Sequence, residues 1–442
     1  MPAPWLHPGT RVPGLDVSSR DARLDLFRGL ALVMIFVNHV PGTPWEHWTS
    51  RNIGFSDAAE AFFVMSGIAT ALAYGERLSL PRTRQHGLWP GVAPLWSRAW
   101  ALYRVHLLLS VWAIAILAAT AERYALPELL TTINLRAVFT EPAQALVGVP
   151  LLTHQLGYVN ILPVYAVLLL VAPLLIRLGQ RQPVALAVGS LLLWFCAGLF
   201  RLNLPNYPNP GGWFFNPFAW QAVFVCGLLI GLAGRRGERL LPVSRTALAA
   251  AFGFLLLAWV WRQVPAVGGW FDTRLWELGQ LGLPFHLIGH DKTYLALPRL
   301  LHVLALVYVA SSLDVVRRIA ASRAGGWLRL LGRHGLTVFA WGTVLAIAAQ
   351  AILAVVPDRA WLRWGIVPVG VVLMVGIAGL AGRAGRSRRA TAQATPQASC
   401  VTGCPCSTTT RPALDSVPPG VCTRSTVMKS VCHNVGVTSQ AT

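Results

Sequence analysis

The stretch "LDLFRGLALVMIFVNHVPGTP", residues 24–44, sets Asp25 and Arg28 ahead of an apolar run and then places Asn38 and His39 where more leucine would be expected. Asp25, Arg28, Leu32, Ile35 and His39 are separated by steps of three or four, so one helical stripe carries all five. From Arg28 to His39 is about 16 Å along an α-helix, roughly half the hydrocarbon thickness of a bilayer. Pro41-Gly42-Thr43-Pro44 then stops the helix, which leaves the imidazole near its end. An ionisable group in such a segment normally faces a cavity or a partner. A histidine at a helix C-terminus can also do no more than serve the last carbonyls and the dipole.

The rest of the chain agrees with a membrane reading. Its 442 residues are 55% hydrophobic and only 12% charged, with a mean hydropathy of +0.54, outside the range of soluble globular domains. Apolar runs near 24–41, 59–76, 99–120, 158–177, 183–201, 216–234, 246–262, 294–313, 335–356 and 364–382 are each long enough to be spans. The expected fold is therefore all-α, a polytopic bundle of about ten transmembrane helices. The net charge of +20 lies in short clusters between these runs and forms no contiguous basic patch, which excludes a nucleic-acid partner. With the N-terminus inside, 23 Lys and Arg residues flank the inner ends against 10 on the outer side, so both termini are expected in the cytoplasm. No apolar run ends in a small-residue cleavage site, so the first helix is expected to be retained.

Three regions follow: a cytoplasmic segment 1–23, a membrane domain 24–382, and a Ser/Thr/Pro-rich tail 383–442 expected to be disordered. Five of seven cysteines (Cys400, Cys404, Cys406, Cys422, Cys432) lie in the tail, and their spacing does not match a zinc site, so no metal is expected. The outer stretch "NLPNYPNPGGWFFNP", 203–217, mixes aromatics, asparagines and turn residues. That suits sugar stacking as well as it suits an interfacial aromatic belt.

Polar residues inside the runs are the functional candidates. Asp57 and Glu60 have the spacing of a capping box, and Glu60 is also a candidate to orient His39. Ser66-Gly67 in mid-span reads as close helix packing, since no G-x-S-x-G elbow surrounds the serine. Arg98 can snorkel to the interface, whereas Arg104 lies deeper and calls for an anion such as Asp25, Glu60 or a substrate group. His302 reads as a satisfied bundle histidine. The candidate catalytic set is His39, Arg28, Asp25 and Glu60; the candidate substrate-binding set is Asn38, Arg98, Tyr103, Arg104, Gln155, Asn216, Trp220 and Gln221. A neutral imidazole suits removal of a proton from a hydroxyl that attacks a carbonyl, and the arginines of the loop 77–98 suit a phosphate-bearing donor. The competing reading is a transporter or flippase with a His39/Arg104/Glu60 proton or anion path, against which the sequence shows no related halves.

Six stretches, taken in order, add a resemblance: 20–42, 51–67 "RNIGFSDAAEAFFVMSG", 102–109 "LYRVHLLL", 162–175 "LPVYAVLLLVAPLL", 215–231 "FNPFAWQAVFVCGLLIG" and 331–339 "LGRHGLTVF". The series resembles the OpgC-type proteins, succinyl-modifying membrane proteins of osmoregulated periplasmic glucans within the acyltransferase family 3. It covers about residues 20–380, and the tail has no counterpart. The resemblance implies transfer of an acyl group, typically succinyl, from a cytoplasmic acyl-CoA to hydroxyls of a periplasmic glucan, in the inner membrane of a bacterium. It further implies His39 as the base, with Arg28 and one of Arg98 or Arg104 binding the donor or stabilising charge. Acyl-CoA is then a co-substrate, and no permanently bound cofactor is expected.

Overall fold

A computed structural model describes residues 21–394. Among these the regular elements are all helices, joined by turns and loops, and the one β-bridge is an isolated antiparallel pair between Pro205 and Gly212. Ten long helices coincide with the ten apolar runs: α1 Ala22–Asn38, α2 Ala58–Tyr74, α3 Trp89–Tyr124, α4 Ile161–Arg181, α5 Pro183–Leu199, α6 Pro217–Arg235, α7 Arg245–Gln263, α8 Leu297–Ser312, α9 Gly335–Val355 and α10 Ala360–Ala394. The described residues up to Ala390 form one compact unit, and Thr391 to Ala394, the end of α10, are the described part of a second. Helix α10 thus continues beyond the expected end of the membrane domain at 382. The tail cysteines lie outside the described residues.

Six of these helices (α3, α4, α6, α7, α9, α10) are long and apolar enough to cross a membrane, and a seventh crossing forms if α8 is joined to Asp314–Ala321 across a 75° bend. The chain is a multi-pass membrane protein. The others fall short of the roughly 20 residues a span needs: α1, α2 and α5 have 17 each and α8 has 16. Three of those four helices, α1, α2 and α8, end or begin at the polar cluster described below. Their early termination gives backbone and charged side chains a place among other protein groups and away from lipid.

Helix α6 runs through the centre and packs on α2, α4 and α5. Its contact with α2 is backbone to backbone: a Cβ on Gly67 would lie 2.0 Å from the Phe224 carbonyl oxygen, and one on Gly227 would lie 2.0 Å from that of Val64. Only glycine permits this approach, which is why Gly67 follows Ser66 in mid-helix. As numbers rise from 64 to 68 along α2 they rise from 227 to 231 along α6, so the two helices are parallel. The aromatic ring of Phe63 meets Phe215 and Trp220 at their shared N-terminal end.

Candidate functional site

Two polar clusters sit at opposite ends of α1. At its start Asp21 caps the helix by accepting from the Arg23 N–H at 2.9 Å. One turn on, Asp25 is buried between Arg28 (3.9 Å) and Arg333 (3.4 Å). This is the ion pair the sequence places there, with Arg333 added, and it serves neither Arg104 nor His39. Fourteen positions of helix, about 21 Å, separate Asp25 from His39. The four candidate catalytic residues therefore do not form one constellation.

At the other end His39 is the C-cap, its N–H reaching the carbonyls of Ile35 and Phe36. Its own carbonyl oxygen accepts a 2.7 Å hydrogen bond from the Gln350 amide of α9. Its ring lies 4.1 Å, centroid to centroid, from that of Tyr158, and the same Gln350 side chain approaches the Tyr158 hydroxyl. Tyr158 has φ of +70°, a left-handed conformation costly for a bulky residue, and one that structures retain mainly at functional sites. The imidazole Nδ1 is buried with no hydrogen-bonding partner among the described residues. Beside the ring lies a cavity of about one water molecule, lined by Leu32, Ile35, Phe339, Thr343 and Met374.

Within electrostatic reach of this ring, through Lys292 and Asp57, is a cluster of two carboxylates and two cations. Asp57 caps α2 by accepting from the Ala59 N–H (2.8 Å), and Glu60 accepts from the Asp57 N–H (2.9 Å), so the capping box is formed. The remaining oxygens make ion pairs. Glu60, fully buried, takes the Arg299 guanidinium at 2.7 Å from Nε, while Asp57 takes Lys292 and, at 3.5 Å, Arg299. Burial alone would raise the Asp57 carboxyl, but the Lys292 and Arg299 charges outweigh it and hold the group well below the usual carboxylate range. The Lys292 ammonium also lies over the Phe214 and Phe215 rings, and the Lys292 and Asp57 charges both reach His39.

The expectation that Glu60 orients His39 is corrected: its free oxygen is committed to Arg299. The anion expected for Arg104 is corrected too. Arg104 and Arg98 are both exposed on α3, the Arg98 charge reaching Tyr74 at the end of α2, while Asp25 pairs with Arg28 and Arg333 and Glu60 with Arg299, so the structure does not bring His39, Arg104 and Glu60 together.

The remaining candidates are mostly engaged in holding the fold. Asn38, next to His39, accepts from the Thr49 hydroxyl at 2.8 Å. Tyr103 stacks on Trp100 and donates to the Pro150 carbonyl. Buried Gln155 donates to the Leu152 carbonyl, and Gln221 bonds Ser190 between α6 and α5. Asn216 caps α6, and its N–H reaches the Thr293 carbonyl; Trp220 donates from Nε1 to the Lys292 carbonyl. These last two bring the Lys292 loop to Asp57. In the stretch 203–217, Asn203 donates to the Trp213 carbonyl and Trp213 is buried, so the loop ties its own amide and indole inward.

Sequence reasoning missed Lys292, Arg299 and Gln350. Arg299 did carry a signal: a cation in the first turn of an apolar helix opposes the helix dipole and needs a carboxylate. His302 is satisfied, as expected: its Nδ1 lies 2.7 Å from the Ser56 hydroxyl. Gly54 makes room for that ring, which a Cβ would approach to 2.1 Å.

A family model described as OpgC protein matches residues 20–386. The chain belongs to the OpgC protein family. Membership implies a transferase role in modifying glucan at a membrane. No curated protein and no solved structure matches this OpgC-family chain. The match begins just ahead of α1 and ends within α10, so it takes in both polar clusters.

Proposed function

We propose that the protein is a membrane O-acyltransferase that moves an acyl group, succinyl by the resemblance of its motifs, from a cytoplasmic coenzyme A thioester to a hydroxyl of a periplasmic glucan. It lies in the bacterial inner membrane with ten crossings and both termini in the cytoplasm, the orientation that the Lys and Arg distribution favours. The His39 end of the bundle is then periplasmic.

The observation that carries this reading is the His39 imidazole, held at a broken helix end against Tyr158 and beside the Asp57/Lys292 pair. With Nδ1 buried, Nε2 is the nitrogen that meets substrate. It takes the proton of a glucan hydroxyl as that oxygen attacks the acyl carbonyl. The C–O bond forms, the C–S bond breaks, and the proton passes to the departing thiolate. Lys292, oriented by Asp57, supplies positive charge for the oxyanion that develops in between.

Mass spectrometry of periplasmic glucan from cells with and without this gene tests the reading. An acyl mass increment that depends on the gene supports it, and identical glucans in both strains would refute it.

A further inference from the structure

Helix α8 has 16 residues, about 24 Å of rise, and so ends short of the roughly 30 Å that a crossing needs. The helix Asp314–Ala321 follows at a bend of 75°, so its 8 residues add only about 3 Å of depth and run along the boundary between lipid and water. A turn over 322–325 leads to the helix Gly326–Arg333, which packs on α1 backbone to backbone: a Cβ on Gly29 would lie 1.9 Å from the Leu328 carbonyl oxygen, and one on Gly332 would lie 1.9 Å from that of Asp25. Arg329 ties the two short helices together by donating to the Ala320 and Ser322 carbonyls. The segment is a ledge fixed to the start of α1, at the end of the bundle opposite His39.

At about 100° per residue, the helix Asp314–Ala321 has three sides. Ala320 is buried and Val316 partly so, on the side toward the protein. Val315 and Ile319, one turn apart, form an apolar side and are each 52% exposed. Asp314, Arg317 and Ala321 form an exposed, mostly charged side, and Arg318 stands at its border with the apolar one, about 60° from Val315. In water two exposed branched side chains gain nothing. At a lipid surface they enter the acyl region while the arginines stay among the headgroups. The exposed Trp327 of the second helix is of the type enriched at that boundary.

Most charges at this end are already committed. Asp314 takes Arg317 at 3.0 Å, Asp25 takes Arg28 and Arg333, Asp21 takes Arg23, and Glu238 takes Arg236 at 2.7 Å. Arg239 donates to the Ser311 carbonyl at 3.2 Å and so serves the C-terminus of α8, as Arg329 serves that of Asp314–Ala321. Arg318 and Arg323 are exposed and pair with no carboxylate among the described residues.

We propose that this ledge is a docking surface for anionic phospholipid, with Arg318 and Arg323 on the headgroup phosphate and Val315 and Ile319 against the acyl chains. Guanidinium groups suit phosphate oxygens, and each basic side chain near a membrane surface adds to the attraction of anionic lipid. A bias of positive charge toward one side of the membrane accounts for the arginines but not for the apolar stripe beside them. The surface stands apart from the acyltransferase reading and holds whichever reaction the protein catalyses.

The full-length protein in neutral detergent is titrated with short-chain phosphatidylglycerol, with phosphatidylcholine of the same chain length, and with glycerophosphoglycerol, which keeps the headgroup and lacks acyl chains. Bound molecules are counted by native mass spectrometry. Wild type is expected to bind phosphatidylglycerol at least about tenfold more tightly than phosphatidylcholine, and Arg318→Gln/Arg323→Gln to lose at least about tenfold of the former affinity, the scale of two surface arginines. Phosphatidylcholine binding should be unchanged by this pair of substitutions, which also shows that the variant is folded. Val315→Ser/Ile319→Ser, with both arginines kept, should weaken phosphatidylglycerol binding as well. Arg82→Gln/Arg84→Gln removes two exposed arginines from the helix Leu80–His86 at the same end of the bundle and should bind as wild type does. An equal loss in the two arginine variants would reduce the effect to overall charge and overturn the assignment. So would glycerophosphoglycerol bound as tightly as the lipid, or a serine variant with wild-type affinity, since either makes the acyl chains irrelevant.

Discussion

The side-chain amide of Gln350, near the end of α9, donates a 2.7 Å hydrogen bond to the carbonyl oxygen of His39. A C-cap carbonyl is one of the orphan acceptors of a helix end, and here a second helix satisfies it. The bond fixes the backbone from which the imidazole projects, and the same side chain approaches the Tyr158 hydroxyl. Gln350 therefore joins the end of the helix that carries His39 to the Tyr158 ring against which the imidazole lies, and under the proposed function it acts as a positioning residue.

Replacing Gln350 with leucine should leave a folded protein and lower glucan acylation about fivefold, the equivalent of one lost hydrogen bond of about 1 kcal/mol. Acyl content per glucan, measured at matched protein levels, reads this out. Unchanged acylation would remove Gln350 from the site.

The pair Glu60–Arg299 is buried, so breaking it costs more than removing it. Arg299→Met alone leaves a carboxylate without its cation and should destabilise by about 3–5 kcal/mol. Glu60→Leu/Arg299→Met together should recover most folded protein, short of about 1 kcal/mol for the lost cap. Thermal unfolding in detergent compares them, and a double variant less stable than the single would contradict the ion-pair account.

Asp57 has a folded-state carboxyl held low by Lys292 and Arg299, against an unfolded value of about 3.9. Its contribution to stability is thus complete above about pH 4 and is lost as pH falls toward the folded value. Asparagine at 57 still caps the helix but cannot pair with either cation. The melting-temperature gap between wild type and Asp57→Asn should hold steady from neutral pH down to about pH 5 and narrow below about pH 4. A gap that widens on acidification would reverse the sign.

Gly67→Val should prevent assembly of the bundle, because the added carbon overlaps the Phe224 carbonyl across the α2–α6 contact. Gly189→Val on α5, where a Cβ meets nothing within 4 Å, is the matched control. Size-exclusion profiles of the two should differ sharply.

The fold was largely legible because lipid imposes length and apolarity on each helix directly: all ten runs are helical, and the stripe from Asp25 to His39 lies on one helix. Whether a 16- or 17-residue helix crosses the bilayer is not written in its own sequence, since it depends on which neighbours cover its ends. The site was legible only where a residue is anomalous within its own segment, as His39 and Glu60 are. Arg98 and Arg104 show the limit of that approach, because depth along a helix says nothing about how far a side chain is covered by its neighbours, and both are exposed. Lys292 and Arg299 went unread as site residues because their partners are more than two hundred positions away, a pairing that only the packing of α8 on α2 creates.

The most direct test of the account is acyl substitution of periplasmic glucan in cells whose only copy of the gene encodes His39→Ala or His39→Gln, at wild-type protein levels. Loss of at least about a hundredfold, the scale of a general base, is the expected result for both. Glucan acylated to the wild-type extent by either variant would contradict the role of this imidazole.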